Sequence, residues 1–478
     1  MNYLMIINTL ATLLQFEGLF LIPPIITGIV YRDSETKVII MVALASVLAG
    51  TLLKLIKVKN KKLHAKDGFV ITALAWILLS AVGALPFVFT KAIPSFTDAF
   101  FETASGFTTT GASILTDIEG MCHSLLLWRS FTHWLGGMGV LVFIMAVVPS
   151  SADEMHIMKA ESPGPAVDKL VPRVKQTAFI QYSLYLFLTV VEFIILAIGR
   201  MPIFDSICLT FGTAGTGGFG IRGDSVAGYS NFCQVVITVF MFLFGVNFKF
   251  YYLLLIKKFK EAFFSEEVRW YFIIYVSAVI MVLLGIINQV GNFLDSLRLS
   301  SFQVASVMTT TGYATIDFNN WATMPKTVML IVMFIGACAG STGGGMKVSR
   351  WIIYFKQVIR GIQQVIHPRS VKNIRLDGKV VDNEIIKTTN VYFMAYTLVF
   401  LASVIIVSID GFDITSTFTS VVATINNIGP GLNMVGPAGN FEAFSKLSKW
   451  VLSFDMIAGR LEMFPMLILL APSTWKRS

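Results

Sequence analysis

The sequence predicts an all-α integral membrane protein in which four tandem helix, pore-loop, helix repeats surround a central pore, after an extra two-helix N-terminal unit. The first observation is composition: 55% of the 478 residues are hydrophobic, 14% are charged and the mean hydropathy is +0.73. A soluble globule is rarely so apolar, so the chain belongs in a bilayer. The second is that four short apolar runs end in glycine beside hydroxyl or small residues, at 108–111, 216–219, 309–313 and 426–429.

Ten apolar runs are long enough to cross a hydrocarbon core of about 30 Å, which takes about 20 helical residues. They lie near 5–30, 37–57, 69–90, 125–148, 177–199, 232–256, 270–290, 327–355, 388–409 and 448–471. Four shorter apolar segments lie between alternate pairs of these runs, near 97–107, 203–214, 301–309 and 414–424. Because segments this short cannot span, we expect re-entrant half-helices whose irregular ends line an aqueous cavity.

Basic residues are concentrated in three loops, which follow the second, sixth and eighth runs. The positive-inside rule makes these loops cytoplasmic, so both termini are expected in the cytoplasm and the four half-helices on the outer side. The net charge of +9 therefore reflects topology, and no nucleic-acid partner is predicted. The four cysteines show no CxxC spacing, so neither a disulfide framework nor a zinc site is predicted.

The four glycine-terminated segments recur about every 100 residues, as expected of a repeat that cannot seal a pore alone. Each interval contains a helix, a half-helix and another helix. The predicted units are a two-helix N-terminal unit at 1–66, pore repeats at 67–150 and 151–262, a third repeat with a broken inner helix at 263–380, and a fourth at 381–478.

Five strings carry a family resemblance: Ser105–Ala112, His133–Gly139, Gly340–Lys347, Asn426–Gly431 and Gly459–Glu462. In content and order they resemble the Trk/Ktr/HKT superfamily of cation transporters over nearly the whole chain. The length and the extra helix pair are closer to the TrkH type than to the shorter KtrB type. The resemblance implies a potassium-uptake pore that is dimeric, lies in the bacterial cytoplasmic (inner) membrane, and is regulated by a cytoplasmic TrkA-like nucleotide-binding ring. It implies potassium as substrate and no bound cofactor.

The resemblance also implies a selectivity filter with three residues from each repeat. These are Thr109, Thr110 and Gly111; Thr216, Gly217 and Gly218; Thr310, Thr311 and Gly312; and Asn427, Ile428 and Gly429. In the second repeat this register is chosen because Phe219 then matches Tyr313. Related plant transporters that carry serine for the first filter glycine transport sodium, so Gly111 favours potassium. Carbonyl oxygens of such a filter replace the water lost by the ion, and the carboxyl ends of the half-helices add about half a negative charge each.

The eighth run is predicted to break at Gly340, Gly343, Gly344 and Gly345, because each glycine costs a helix about 1 kcal/mol relative to alanine. In the family this stretch is an intramembrane loop that blocks the pore below the filter. Lys347 either belongs to this gate or simply marks the cytoplasmic end of the broken helix. The string departs from a phosphate-binding loop at Met346, where that motif requires lysine.

Arg460 lies inside the last apolar run, where a charged side chain is costly and usually faces a cavity or the bundle interior. Either it ties backbone carbonyls together, or it holds positive charge beneath the filter, contacts the 340–345 loop and raises the barrier to cations. Glu462 would project from another part of the helix and is not expected to pair with it.

Two other functions remain open. An ion-coupled secondary transporter, with sodium or proton symport, also uses broken helices, but usually has inverted repeats. Here each unit crosses the membrane an even number of times and all repeats share one orientation, which favours a pore. A receptor or scaffold could use the glycines for packing alone. No arrangement of serine, histidine and carboxylate indicates an enzyme.

Overall fold

A computed structural model of the chain describes residues 1–56, 58, 63–140, 174–369 and 372–475. The helices are α1 (Tyr3–Phe20), α2 (Ile22–Tyr31), α3 (Thr36–Lys54), α4 (Ala65–Gly83), α5 (Leu85–Phe89), α6 (Phe96–Phe107), α7 (His123–Gly137), α8 (Val174–Ile198), α9 (Ile203–Gly215), α10 (Asn231–Phe244), α11 (Phe248–Leu255), α12 (Phe259–Phe263), α13 (Glu266–Val290), α14 (Phe293–Met308), α15 (Thr323–Phe334), α16 (Val348–Ile366), α17 (Asn383–Val407), α18 (Ile414–Ile425), α19 (Lys446–Arg460), α20 (Phe464–Leu470) and α21 (Pro472–Trp475). Strands β1 (Arg375–Leu376) and β2 (Lys379–Val380) form an antiparallel hairpin, and 3-10 turns lie at Phe318–Asn320, Ser408–Asp410 and Asn433–Val435.

Six helical segments of the described residues are long and apolar enough to cross a membrane. They are Tyr3–Tyr31, Thr36–Lys54, Lys66–Phe89, Gln176–Ile198, Glu266–Val290 and Asn383–Asp410. Their outward faces carry large exposed apolar side chains, among them Leu44, Phe187, Leu284 and Leu398. Such faces are unfavourable in water but match a lipid surface. These segments form the outer wall of the bundle.

The four predicted half-helices are α6, α9, α14 and α18, and their later turns are almost wholly buried. Polar N-caps start three of them, since Ser95, Asn292 and Asp413 accept backbone N–H bonds from the first turn. The third half-helix is longer than the predicted 301–309, because it begins at Phe293. All four end at a predicted filter segment.

The helix after each filter segment is short: α7 has 15 residues, α10 has 14, α15 has 12 and α19 has 15. At 1.5 Å per residue, even 15 residues cover only about 22 Å, which is less than a hydrocarbon core. Only the break in the third of these inner helices was predicted. The expectation of unbroken runs at 232–256 and 448–471 was wrong. The former bends by 89° between α10 and α11, and the latter stops at Arg460 and resumes at Phe464.

The first inner helix, α7, ends at Gly137, so the predicted run 125–148 is also interrupted early. The rest of that run, and the predicted boundary between residues 150 and 151, lie outside the described residues. Backbone groups freed by the second break are bonded by the chain of the third repeat. The N–H of Cys338 donates to Gly245 O at 3.0 Å, and the N–H of Phe248 donates to Gly340 O at 3.0 Å. The second break is therefore stabilised by contacts between repeats.

The N-terminal unit packs through small residues. A Cβ on Gly18 would lie 2.7 Å from Ala43 O, and one on Gly50 would lie 2.6 Å from Ala11 O. Glycine thus lets the backbones of α1 and α3 approach closely, as is common between helices in lipid. Helix α1 also packs on α4, and this contact joins the N-terminal unit to the first repeat.

Candidate functional site

The four predicted filter segments share one backbone conformation. Each starts with a non-glycine residue in the left-handed region and ends with a glycine of positive φ: Thr109 56° and Gly111 79°, Thr216 54° and Gly218 78°, Thr310 60° and Gly312 90°, Asn427 55° and Gly429 93°. Left-handed threonine is uncommon because its branched Cβ crowds the backbone. Such strain persists only where surrounding structure holds it, and it is typical of functional segments.

The same two hydrogen bonds end all four half-helices. The first filter residue donates its N–H to the carbonyl three residues earlier, and the second donates to the carbonyl five residues earlier. The latter bonds, all of 2.8 Å, are Thr110 to Ser105, Gly217 to Gly212, Thr311 to Ser306 and Ile428 to Ala423. This is a Schellman cap with threonine or asparagine in place of the usual glycine. The repeated cap supports the register in which Gly218 corresponds to Gly111, Gly312 and Gly429.

The four segments meet in a closed ring that follows chain order. A Cβ built on each filter glycine would approach the carbonyl oxygen of the second filter residue in the next repeat. These separations are 2.1 Å from Gly111 to Gly217 O, 1.9 Å from Gly218 to Thr311 O, 2.3 Å from Gly312 to Ile428 O and 2.8 Å from Gly429 to Thr110 O. The fourth contact returns to the first repeat, so the carbonyls of all four segments surround one axis.

Filter side chains bond to one another around this ring. The hydroxyls of Thr108 and Thr110 lie 2.8 Å apart, and the amide nitrogen of Asn427 donates to Thr110 Oγ1 at 2.9 Å. The same amide donates to Met456 O at 2.8 Å. Asparagine therefore joins the fourth segment to the first. With the threonine hydroxyls and the amide nitrogen of Asn427 engaged, the main-chain carbonyls are the natural ligands for a dehydrated monovalent cation.

Residues 335–347 form an irregular loop directly beneath the ring. The N–H of Gly344 donates to Thr310 Oγ1 at 2.6 Å. A Cβ on Gly344 would lie 2.8 Å from Asn426 O, and one on Gly343 would lie 3.0 Å from Thr309 O. The loop thus touches the carboxyl ends of the third and fourth half-helices, and it is longer than the predicted 340–345 stretch.

Glu267, at the start of α13, joins this loop to the first turn of α16. Its Oε1 accepts the N–H of Ala339 at 2.8 Å and the N–H of Ser349 at 3.1 Å. Glu267 is buried, and sequence reasoning missed it. The available signal was an acidic residue at the beginning of an apolar run, although such residues commonly favour a helix N-terminus without any further role.

Arg460 is buried between the loop and the first repeat. Its guanidinium donates to Thr342 O at 2.8 Å, Gly136 O at 2.6 Å, Gly137 O at 2.5 Å and Thr109 Oγ1 at 3.3 Å. It therefore bonds the loop, the end of α7 and a filter residue at once. Both sequence interpretations fit this geometry, since one cation ties carbonyls together and also lies beneath the ring.

The other predicted gate residues lie along the loop. Lys347 Nζ donates to Gly343 O and, at 3.2 Å, to Gly344 O, so its charge faces the loop interior. Gly345 has a positive φ of 67° and lies against Gly336. Gly340, with φ 70°, lies at the far edge near Asn247, where the second inner helix bends.

Glu462 pairs with Arg350 through two hydrogen bonds of 2.9 and 2.5 Å. The guanidinium of Arg350 also lies 3.8 Å from the ring centroid of Tyr392. The pair joins the interruption after α19 to the start of α16. Sequence reasoning missed it, because 112 residues separate the partners.

Comparison with known proteins gives a consistent result. The family described as TrkH, cation transport protein, matches residues 35–477. A Trk system potassium uptake protein TrkH from Salmonella typhimurium is 35% identical over 469 residues, covering 96% of each chain. One from Vibrio parahaemolyticus is 32% identical over 486 residues and covers both chains completely.

The fold agrees with a solved structure as well. The crystal structure of the potassium transporter TrkH from Vibrio parahaemolyticus matches with a TM-score of 0.88 at 30% identity, over the whole of both chains. This likeness confirms the predicted class of helical membrane protein.

Proposed function

This chain belongs to the TrkH family of cation transport proteins, a family of transporters and not of enzymes, and we propose that it takes up potassium through a channel-like pore. The single observation that carries the proposal is the closed ring of four carbonyl-bearing segments. A potassium ion loses water on entering such a ring, and carbonyl oxygens replace it at lower cost than for the more strongly hydrated sodium ion. The relatives named as potassium uptake proteins support the same ion.

The proposed filter consists of the twelve residues of the four segments. Four half-helix carboxyl ends point at it, and their partial negative charges favour a cation partway across the membrane. Potassium is the transported substrate, and no other ligand is needed for this role.

The loop 335–347 is the proposed gate, with Arg460 as its fixed cation and Lys347 bonded to the carbonyls of Gly343 and Gly344. Its contacts with Thr310 and with the Asn426 carbonyl region support a role in the path below the ring. The positive charge of Arg460 beside that path raises the energy of an entering cation. Opening requires the loop to leave the ring and Arg460 to release Thr342 O.

The assembly proposed from the family is a homodimer in the bacterial inner membrane, with both termini in the cytoplasm and a TrkA-like nucleotide-binding ring below. The third repeat offers the mechanical link. Helix α16 starts directly after the loop, and Lys356 on it pairs with Glu266 at 2.5 Å and bonds Arg375 O at 2.7 Å in the β hairpin. A partner that pulls on α16 or on the β hairpin would move the loop.

Ion flux in proteoliposomes of the purified protein tests the proposal. Potassium influx should exceed sodium influx and continue with no sodium or proton gradient. Equal flux of both ions would contradict the filter, and absence of flux both with and without the nucleotide-binding ring would contradict the pore. Potassium flux that stops without a sodium or proton gradient would instead favour ion-coupled secondary transport. Adding a cytoplasmic nucleotide-binding ring should change the potassium rate without changing the ion preference.

A further inference from the structure

The segment after the filter is held by a side chain of its own half-helix in three of the four repeats. In the first, Glu102 Oε2 accepts the N–H of Ile114 at 3.0 Å. In the third, Gln303 Nε2 donates to Ile316 O at 3.2 Å. In the fourth, Thr419 Oγ1 accepts the N–H of Leu432 at 3.0 Å. Each bond fixes the strand that continues from the filter glycine.

Among the described residues of the second repeat, the half-helix reaches the post-filter segment only through a side chain, since Asp205 pairs with Arg222 at 3.2 Å, and no side chain of α9 bonds the backbone of that strand. Leu209 occupies the position that corresponds to Glu102 and Gln303, and its side chain can form no hydrogen bond. Its filter also continues as Gly217-Gly218-Phe219-Gly220, which contains three glycines. Glycine has the widest backbone freedom, so this strand is the one that most needs an external contact.

Arg129 on α7 of the first repeat supplies that contact. Its Nη1 donates to Gly220 O at 3.2 Å, and its guanidinium carbon lies 4.1 Å from the ring centroid of Phe219. One turn further along α7, His133 stacks on the same phenyl ring with centroids 4.2 Å apart. Phe219 is thus held between two side chains of the neighbouring repeat.

His133 also occupies the space beside the second filter residue. A Cβ on Gly217 would lie 1.7 Å from His133 Nδ1, which explains why glycine stands where other repeats have threonine or isoleucine. The carbonyl of Gly217 belongs to the ring. Its position therefore depends on the first repeat as well as on its own half-helix.

Glu102 fixes Arg129 in this role. The guanidinium bonds Glu102 Oε1 through Nε at 2.8 Å and Nη2 at 2.7 Å, and both side chains are at most 1% exposed. Ser113, just after the first filter, donates to the same carboxylate at 3.0 Å. A single buried ion pair therefore bonds the post-filter strands of the first two repeats.

We propose that the Glu102–Arg129 pair is a specificity-determining positioning element, which fixes the spacing of the first- and second-repeat carbonyls and so the preference for potassium over sodium. This inference rests on the proposed function. The two residues act through Phe219, Gly220 and Ser113 and do not themselves contact the ion. An ion pair suits this task because two strands from different repeats must be held by one rigid group, and the planar guanidinium offers several donors at fixed angles.

The decisive variant is the double substitution Glu102→Gln with Arg129→Met, measured as the ratio of potassium to sodium flux in proteoliposomes. Replacing both partners avoids a stranded buried charge. Glutamine at 102 imitates Gln303 and can still hold the first strand, whereas methionine keeps apolar contact with Phe219 but donates nothing to Gly220 O. We expect the ratio to fall about tenfold, the equivalent of one lost hydrogen bond, while potassium flux stays within about twofold of wild type.

Two further variants separate positioning from general damage. Arg129→Lys retains the charge but has fewer donors and no planar face. Its ratio of potassium to sodium flux should therefore lie between those of the double variant and the wild type. Glu267→Gln is the matched control, because Glu267 is also a buried carboxylate that accepts two N–H groups, but in the loop beneath the ring. It should change total flux and leave the ratio intact.

An unchanged ratio in the double variant would overturn the inference, as would an equal fall in Glu267→Gln. If the double variant fails to fold, Phe219→Leu removes the clamped ring without stranding a charge, and an unchanged ratio there would overturn it as well. A wild-type protein that conducts potassium and sodium equally would contradict the proposed function itself, which distinguishes the two failures.

Discussion

Substituting Gly111 with serine tests the ring most directly. Gly111 has φ +79°, and a Cβ there would lie 2.1 Å from Gly217 O, whereas ordinary contact begins at 3.4 Å. The carbonyl or the first filter strand must therefore move by about 1 Å, since packed atoms do not interpenetrate. The left-handed conformation alone costs a non-glycine residue about 1–2 kcal/mol.

The chain offers a control that isolates the clash from this backbone cost. Gly411 has φ +75°, and nothing lies within 4 Å of a Cβ built there. Gly411→Ser therefore carries a similar conformational cost without moving a filter carbonyl. Gly111→Ser should lose at least as much thermal stability as Gly411→Ser, because it adds a clash to the same backbone cost, and only Gly111→Ser should lose ion discrimination.

A shift of about 1.4 kcal/mol in the relative stabilisation of two ions changes their ratio tenfold. We expect at least this change for Gly111→Ser, because a carbonyl oxygen displaced by about 1 Å no longer lies at the same distance from the ion as the other three. Tracer influx of potassium and sodium into proteoliposomes gives the ratio. Wild-type discrimination in Gly111→Ser would refute both the register and the ring, and an equal loss in Gly411→Ser would refute the assignment of the effect to the clash.

Three further perturbations address the loop and a half-helix. Arg460→Ala should raise potassium influx without a partner ring several-fold, because it removes the buried charge bonded to the loop. Gly344→Ala should also raise it, since a Cβ would lie 2.8 Å from Asn426 O and push the loop from the ring. Asp413→Ala should lower the unfolding temperature by about 1–2 °C at neutral pH by removing a helix cap. Hydrogen bonds from the hydroxyl and N–H of Ser416 lower the pKa of Asp413, so this contribution is present at neutral pH and lost as the pH falls through that lowered pKa.

A specific result would contradict each of these three predictions. Unchanged or reduced influx in a folded Arg460→Ala protein would leave this arginine a purely structural role. Gly361→Ala is the control for Gly344→Ala, because nothing lies within 4 Å of its Cβ; equal influx in the two variants would remove the steric argument. For Asp413→Ala, a deficit in unfolding temperature that persists undiminished at pH 2 would show that the carboxylate charge is not involved.

Several features were predictable because their causes are local. Half-helices too short to span stand out between longer apolar runs, and the helix break before Lys347 follows from four clustered glycines. The predicted filter segments stand out because glycine lies beside threonine or asparagine at the end of each half-helix. What could not be predicted is the left-handed conformation at Thr109 and Thr310, because threonine disfavours it and only the surrounding ring maintains it.

The breaks in the other inner helices had no comparable local signal. At the second break, Gly245 and Asn247 are a weak signal in a long, mainly apolar run, and the bend also depends on Cys338 donating to the Gly245 carbonyl from the next repeat. The ion pair of Glu462 also could not be predicted from neighbouring residues. The distance of Glu462 from Arg460 along the helix correctly argued against that pair, but no local pattern indicated Arg350 as its partner.

By itself the sequence determined that this chain is a helical membrane protein and which segments are half-helices, because hydropathy and glycine content act through neighbouring residues and the surrounding lipid. Only the tertiary structure decided that Gly429 meets Thr110 to close the ring, and that Arg129 reaches Gly220. The first contact joins residues roughly 320 positions apart, and the second joins residues roughly 90 positions apart. Local conformational preferences do not act over such separations, so the packing of the repeats around a common axis sets the geometry.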